Sequence, residues 1–537
     1  MRPNGRGLFL VVGILVVSAV LGGLYGPSVK ATAAGVTDLQ QSVKDFSRVL
    51  SIVEQNYAEP VDVEKAINQG AIPGMLRVLD PHSSFFDPRQ FELLKEDQRG
   101  RYFGVGMSVA PRAGKTVVLA PFLGSPAYKA GIRPGDIIMR VDDKSVEGLS
   151  TSEVADLLKG QKGTVVKITI GREGYDEPLN FTVTRDEIPR HGVDNPIMLK
   201  PGIGYVRVAS FNEKTDRELQ DALDKLDVST LRGLIVDLRN NPGGLLNEGV
   251  AVADMFLDAK QLIVSHRGRS SPERRYYAVR GNRGVEVPLV ILINGQSASA
   301  SEIVAGAVQD HDRGLIVGDT SFGKGLVQSV YQLSDNAGLA MTTAKWYTPS
   351  GRLIQRDYKS VSLYEYHYSR KTNGQPTEIK LTDSGRQVYG GGGIAPDVVV
   401  QAPKLTGFQQ TLLRRDVIYP FELGVGGFAR YYLGQKPTVT REFTANDAVL
   451  AKFREYLNKQ DVRFTEADLQ ENRDWIERKI KREVFLSEFG QAESYKVEIE
   501  GDIQVQKAIE MIPEARALYE NAKKVLAQRL AAQGISR

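Results

Sequence analysis

The sequence predicts an α/β protein. Its layered core, with a largely parallel central sheet, spans residues 188–403; a unit of short strands (89–187) is inserted before it, and helical regions lie at both ends. Three observations carry this. The runs "GLIVDL" (233–238), "VPLVILI" (287–293) and "GLIVG" (314–318) are apolar without alternation and bounded by turn residues, as in strands covered on both faces. Helix-like stretches alternate with them. At 537 residues, 42% hydrophobic and 25% charged, the chain can bury a sizeable core and shows no bulk disorder.

The elements follow in order. Arg2 and Arg6 precede "GLFLVVGILVVSAVLGGLYG", an apolar run of about 19 residues with no charge before Lys30. That is long enough to cross a hydrocarbon core of about 30 Å, with the basic flank staying cytoplasmic. Residues 1–34 are read as an uncleaved membrane anchor; a signal peptide cut near "ATA" (31–33) is the alternative. Either puts the remainder on the periplasmic side of the cytoplasmic membrane. In the helical region 35–88, Val36, Leu39, Val43, Phe46, Leu50, Val53 and Tyr57 alternate three and four apart, a narrow apolar seam. The turn-rich "LDPHSSFFDP" closes it.

Residues 89–187 hold "YFGVGMSVA", a glycine-interrupted loop running into a strand. They continue with "GSPAYKAGIRPGDIIMRVDDKSVEGLS" and a short helix, "STSEVADLLKG". In the core, "GYVRVASF" leads to a helix opening at Thr215, with Glu218 three residues on as a capping box. Beyond 404 the amphipathic stretches, such as Leu469, Ile476, Ile480 and Val484, read as a helical accessory region with a solvated charged face.

Composition excludes several functions. With 69 Lys and Arg against 65 Asp and Glu there is no basic block, and so no electrostatic footprint for nucleic acid. The absence of cysteine removes disulfides, thiolate metal sites, a cysteine nucleophile and a lipidated cysteine. The five histidines, at 82, 191, 266, 311 and 367, show neither paired ligand spacing nor the zinc-peptidase pattern.

The chemistry concentrates just beyond strand ends, where α/β folds place their sites. "NGQSASASE" (294–302) holds Ser297, Ser299 and Ser301; Ser299 with Glu302 fits a capping box, and Ser299 is also a candidate nucleophile. "GDTSFGK" (318–324) is six-sevenths of a phosphate loop, but Gly325 replaces the metal-binding hydroxyl and a strand-like "LVQSVYQL" follows, so nucleotide binding is set aside. Lys324 is instead a candidate base. Positions i and i+4 of a strand share a face, so Gln328 would lie beside it. A lysine base must be neutral, which requires its pKa to fall from about 10.4 towards 7, roughly 4 kcal/mol against the charged form.

Residues 89–187 resemble a PDZ domain, which binds a C-terminal peptide as an added strand. The N–H groups of Tyr102, Phe103, Gly104, Val105, Gly106 and Met107 are the expected carboxylate site. Together with "SASASEI", "FGKGLVQ" and "DLRNNPGG", and with "YTPSGRLIQRDY" and "YGGGGIAPDVVV" in support, the chain resembles the carboxyl-terminal processing (tail-specific) peptidases over roughly 35–403. That resemblance implies a crotonase-like core and a Ser–Lys serine endopeptidase. Ser299 would be the nucleophile, Lys324 the general base and Gln328 the residue orienting it, with Gly244 and Ala300 N–H groups as oxyanion hole. Ser297, Ser301 and Glu302 keep structural roles. No metal or other cofactor is implied. The expected partners are protein substrates held by their tails and the membrane. The seam at 36–57 and the helical tail 404–537 are candidate homodimer contacts, and an adaptor protein is a further candidate; nucleic acid is not expected. Two rivals stand beside this reading: a catalytically idle PDZ scaffold and a crotonase-like acyl-thioester enzyme.

Overall fold

The computed structural model describes residues 27–112, 114–172, 174–284, 286–368, 378–418 and 424–532. The chain divides into two units, Met1–Asp87 and Pro88–Arg537. In the first, α1 (Pro27–Asn56) is followed by α2 (Val63–Ala66), α3 (Ile72–Arg77) and β1 (Ser84–Phe86). The expected seam is helical, and Leu39, Val43, Phe46, Val53 and Tyr57 are all exposed on it. Asp80 is buried and accepts the His82 N–H, the Ser83 N–H and the Ser83 hydroxyl, which explains the "DPHSS" turn. Most of the expected anchor, residues 1–26, lies outside the described residues, and 27–34 continue into α1. Among the described residues no helix is long and apolar enough to cross a membrane.

The second unit begins with α4 (Pro88–Arg99) and then the small β unit. Its elements are β2 (Arg101–Gly104), β3 (Met107–Arg112), β4 (Lys115–Pro121), α5 (Pro126–Ala130), β5 (Ile137–Val141), β6 (Lys144–Ser145), α6 (Thr151–Leu158), β7 (Val165–Gly171), β8 (Leu179–Thr184) and β9 (Asp186–Pro189). An antiparallel sheet runs β3-β4-β5-β7-β8, with β6 added on β5, and β2 pairs with β9 as a separate stem. The "GIRPGD" stretch works as a cradle. Gly131 supplies the left-handed turn ending α5, and buried Asp136 grips the Arg172 guanidinium through two bonds of 2.8 Å. Ser150 and Glu153 cap α6 reciprocally.

The core continues with β10 (Ile197–Lys200), β11 (Ile203–Arg207), α7 (Thr215–Leu226), β12 (Gly233–Asp237), α8 (Leu246–Asp254), β13 (Leu262–Gly268), β14 (Ser271–Tyr277), β15 (Leu289–Ile293), α9 (Ala300–Asp310), β16 (Leu315–Gly318), β17 (Leu326–Gln332), β18 (Gly338–Tyr347), α10 (Leu363–Tyr368), β19 (Glu378–Leu381), β20 (Gln387–Gly390) and β21 (Val398–Val399). The central sheet runs β10-β11-β12-β15-β16-β21, parallel from β11 onward, with β10 antiparallel at one edge. Every residue of β12, β15 and β16 is buried, as the unbroken apolar runs require. A second, antiparallel sheet joins β17, β18, β13 and β14.

After the core come α11 (Gly407–Ile418), α12 (Gly424–Gly434), α13 (Asp447–Lys459), α14 (Glu466–Glu471), α15 (Arg473–Phe489), α16 (Gln491–Glu500), α17 (Ile503–Glu510) and α18 (Ile512–Ala532). The pleat of the central sheet decides what these helices do. Leu234, Val236, Ile291 and Ile316 face α7, α8 and α9, whereas Ile235, Val290, Leu292 and Val317 face Ile499, Val505, Met511 and Ile512. The end of the tail is thus the second helical layer of the sheet rather than an appendage. Its earlier helices build their own core around Phe428, Phe453, Ile476 and Ile480.

One expectation fails locally. The helix at Thr215 forms, but its N-cap is Lys214, without a side-chain capping bond. Thr215 hydroxyl instead accepts from Asn212 N–H, and Glu218 reaches back to the Gly192 and Val193 N–H groups and to His191. The chain leaving the small β unit competes for that carboxylate.

Candidate active site

The turn after β15 is built by its serines. Ser297 hydroxyl accepts from Asn294 N–H and donates to the Leu238 carbonyl (2.8 Å), and Ser301 hydroxyl donates to the Asn241 carbonyl (3.0 Å). Both are buried, so their structural reading holds. Between them Ser299 sits at φ 55°, ψ −112°. For a residue with a side chain this left-handed conformation costs on the order of 1–3 kcal/mol and persists only where the surroundings enforce it. Here the enforcement is visible on both sides: Ala298 N–H donates to the Asn241 carbonyl, and α9 starts at Ala300.

A capping box spans Ser299 and Glu302, and Glu302 does far more than cap. Its Oε2 accepts the N–H of Ser299 (2.8 Å) and the N–H of Lys324 (2.9 Å). Its Oε1 accepts the Ser321 hydroxyl (2.5 Å) and the Gly323 N–H (2.6 Å). The side chain is fully buried. Burial pushes its pKa up, and hydrogen bonds from Ser321, Lys324, Gly323 and Ser299 pull it back without cancelling the rise. Three of the four partners are backbone N–H groups, which can only donate, so the geometry favours the carboxylate form. The backbone nitrogens of Ser299 and Lys324 therefore share one oxygen, and cannot be farther apart than those two bonds end to end.

Lys324 lies in the loop before β17, not in the strand, yet its Nζ donates to Gln328 Oε1 at 3.0 Å. A register shift between Val327 and Gln328 helps set this meeting. The loop is packed from outside. Trp346, almost fully buried, donates its indole N–H to the Lys324 carbonyl, and Gln355 accepts the Gly325 N–H. The Arg356 guanidinium lies 4.5 Å from the Phe322 ring centre and 4.6 Å from that of Tyr366. Burial pushes the Tyr366 hydroxyl to about 12, so it stays protonated beside the site.

The second wall is "DLRNNPGG". Asn241 side chain accepts the Gly243 N–H and donates to the Val208 carbonyl. A Cβ on Gly243 would stand 2.8 Å from Ser299 Cβ, so this loop presses directly on the candidate nucleophile. Gly244 has φ 149°, and a Cβ there would stand 2.0 Å from the Phe211 carbonyl oxygen. In the Phe211–Gly244 bridge, Phe211 donates to the Gly243 carbonyl and Leu245 donates to the Phe211 carbonyl, which leaves the Gly244 N–H outside the bridge. Ala300 is the first residue of α9, where an N–H has no intrahelical acceptor. Ala300 N–H lies next to Ser299 at the positive end of a helix, and Gly244 follows the residue that presses on Ser299.

In the small β unit, Tyr102, Phe103 and Gly104 are strand residues paired with Ile188, Glu187 and Asp186. Val105 and Gly106 lie outside both ladders, and Met107 is the first residue of β3. The Val105 and Gly106 carbonyls are pinned by Ala127 N–H, Phe122 N–H and the Ser125 hydroxyl. β3 is the edge strand of its sheet, and α6 packs beside it, the arrangement into which a peptide adds as a strand.

Sequence reasoning missed the reach of Glu302 and the buried pair Asp237–Arg239, held at 2.6 Å just before the loop. A charged pair inside "DLRNNPGG", in a chain that rarely breaks its apolar runs, was the available signal. Among the described residues no cluster of acidic or histidine side chains is arranged to hold a metal.

Comparison with known proteins identifies the family. Residues 202–360 match the model of peptidase family S41, and residues 117–172 match a PDZ domain. The chain is 39% identical over 356 residues to the carboxy-terminal-processing protease of Bartonella bacilliformis, covering 65% of this chain and 80% of that one. It is 34% identical over 374 residues to the carboxy-terminal processing protease CtpA of Bacillus subtilis, covering 67% and 78%. A third relative, the carboxyl-terminal-processing protease of a Synechocystis strain, is 38% identical over 292 residues, covering 53% and 68%.

Proposed function

The chain belongs to the carboxy-terminal processing proteases of peptidase family S41, and on that premise we propose which residues perform its cleavage. It is a serine-type peptidase whose PDZ domain binds protein substrates by their C-terminal tails. Ser299 Oγ attacks the scissile carbonyl carbon while neutral Lys324 takes its proton, with Gln328 orienting the amine. Gly244 and Ala300 N–H groups receive the oxyanion, and two such donors lower the barrier by several kcal/mol. Collapse expels the new amine, which takes the proton from Lys324, and leaves an acyl-ester on Ser299. Water then attacks the ester, giving its proton to Lys324, and Ser299 regains a proton as the acid leaves.

One observation carries the assignment: Glu302 Oε2 binds the backbone of Ser299 and of Lys324, 25 residues apart, while Lys324 Nζ contacts Gln328. The test compares the parent with Ser299→Ala and Lys324→Ala on an unfolded protein bearing a free or an amidated C-terminus. Cleavage by Ser299→Ala at the parent rate would overturn the assignment. Equal cleavage of both substrates would remove only the tail-binding role of the Val105–Gly106 turn.

The core is further proposed to be crotonase-like, supported by a parallel sheet whose α9 carries the reacting group. An experimental structure whose strand order disagrees with crotonase cores would withdraw this. The chain is proposed to sit on the periplasmic side of the inner membrane, anchored within residues 1–34; recovery of full-length chain in a carbonate-washed soluble fraction would refute it. The exposed seam of α1 is proposed to pair with a second copy, which Phe46→Glu should dissolve to monomer in sedimentation. An adaptor is excluded if the purified chain cleaves at full rate without additions.

A further inference from the structure

We propose that Asp502 and Gln504, at the N-terminal end of α17, are positioning residues for peptide cleavage, because they hold Arg239 and through it the loop that presents Gly244 to the oxyanion. The proposal rests on the assignment of Gly244 above and extends it to the far end of the chain.

Arg239 is the second residue after β12. Its Nε and Nη2 bind the two oxygens of Asp237, and its Nη1 donates to Asp502 Oδ2 at 2.7 Å and to Gln504 Oε1 at 2.8 Å. Two of its five side-chain hydrogen bonds thus come from residues 263 and 265 positions further on. Both partners are committed twice. Asp502 Oδ1 caps α17 by accepting the N–H groups of Gln504 and Val505, while Oδ2 holds Arg239. Gln504, almost fully buried, donates its amide to the Val400 carbonyl just past β21. Asp237 is steadied from the same side, since Tyr205 hydroxyl donates to it and meets the Tyr495 hydroxyl of α16 at 2.9 Å.

What Arg239 controls is short and rigid. Leu238 N–H donates to the Leu292 carbonyl, and the Leu238 carbonyl accepts Ser297. Asn240 exchanges bonds with Asn294, and the Asn241 carbonyl accepts Ala298 N–H and Ser301 hydroxyl. Asn240 and Asn241 are therefore bonded to the segment flanking Ser299, and the ring of Pro242 fixes its own φ. A guanidinium released on one side has no slack to absorb the change before Gly243 and Gly244. In a site where two donors must meet a developing charge, a displacement of about 1 Å costs on the order of 100-fold in rate.

The test separates this role from support of the fold. Asn is as good an N-cap as Asp, so Asp502→Asn keeps α17 capped and turns an amide towards Arg239 Nη1. Gln504→Leu leaves the cap untouched and removes the other acceptor. Both variants of the full chain should melt within about 3 °C of the parent. Both should lose kcat, by about 10- to 100-fold, with KM within about threefold. Their affinity for a peptide boronate, which forms a tetrahedral adduct, should fall by the same factor as kcat. The double variant Asp502→Asn/Gln504→Glu returns a carboxylate to Arg239 and should recover most of the lost kcat. A kcat within threefold of the parent in both single variants, or a loss of kcat matched by a drop in melting temperature with unchanged boronate binding, would overturn the proposal. Ser299→Ala is run alongside: if it cleaves normally, the site assignment itself falls and this inference with it.

Discussion

Glu302→Gln is the sharpest test of how the site is held. The carboxylate accepts four donors, two on each oxygen, and is wholly shielded from water. A glutamine of the same shape keeps one acceptor oxygen and turns an NH2 group, itself a donor, towards the other two N–H groups. Two bonds to a charged acceptor vanish, each contributing about 1.5–3 kcal/mol, so the loss is about 3–6 kcal/mol before relaxation. Relaxation has one direct route, separation of the Lys324 loop from Ser299, and that separation costs about 100-fold or more in rate. We expect Glu302→Gln to melt several degrees lower and to cleave an unfolded protein at under one-hundredth of the parent kcat/KM. Thermal melting by circular dichroism and initial-rate assays at 25 °C check both. Activity above one-tenth of the parent with an unchanged melt would show that the four-donor clamp does not set the geometry.

Two further substitutions follow. Gly244→Ala places a methyl 2.0 Å from the Phe211 carbonyl oxygen at φ 149°; kcat should fall about 100- to 1000-fold with KM little changed, the loss expected for one displaced oxyanion donor. A kcat within threefold of the parent would remove Gly244 from that role. At the other end of α9, burial opposes the charge on His311, but the Asp383 carboxylate (2.7 Å) and the Leu262 carbonyl outweigh it and hold the imidazole above its ordinary value. A raised value stabilises the fold fully below the unfolded pKa, about 6.5, and the benefit is lost as pH rises through the folded value. The melting difference between parent and His311→Gln should therefore be largest near pH 6 and shrink towards pH 9; a difference that grows with pH refutes this.

Much of the architecture was legible because it rests on local patterns. Continuous apolar runs gave the parallel strands, and "STSEVADLLKG" forms the short helix expected of it. Ser299, Lys324 and Gln328 stood out as a set only through the resemblance of "SASASEI" and "FGKGLVQ" to the carboxyl-terminal processing peptidases. What stayed hidden depends on distance along the chain. Glu302 advertised its cap, three residues back, but not the loop about 20 residues ahead that it also binds. Thr215 and Glu218 matched a capping box, and tertiary competition from Gly192 and Val193 took the carboxylate. Asp502 and Gln504 looked like any helix start, and nothing in a periodic pattern can reveal that Arg239 waits for them.

The layering has a consequence for how the enzyme comes into being. Residues past 490 cover one face of a sheet whose strands begin at 197, and Asp502 reaches Arg239 across 263 positions. At about 5–20 residues per second, a nascent chain spends roughly 13–50 s between the two. Ser299 and Lys324 are made within that interval, and for the roughly 9–36 s between residues 324 and 502 Arg239 lacks its two distant acceptors. Until then the loop proposed to present Gly244 lacks part of its support, so chains released by a stop at residue 490 should take up a serine-reactive label at least tenfold more slowly than the full chain.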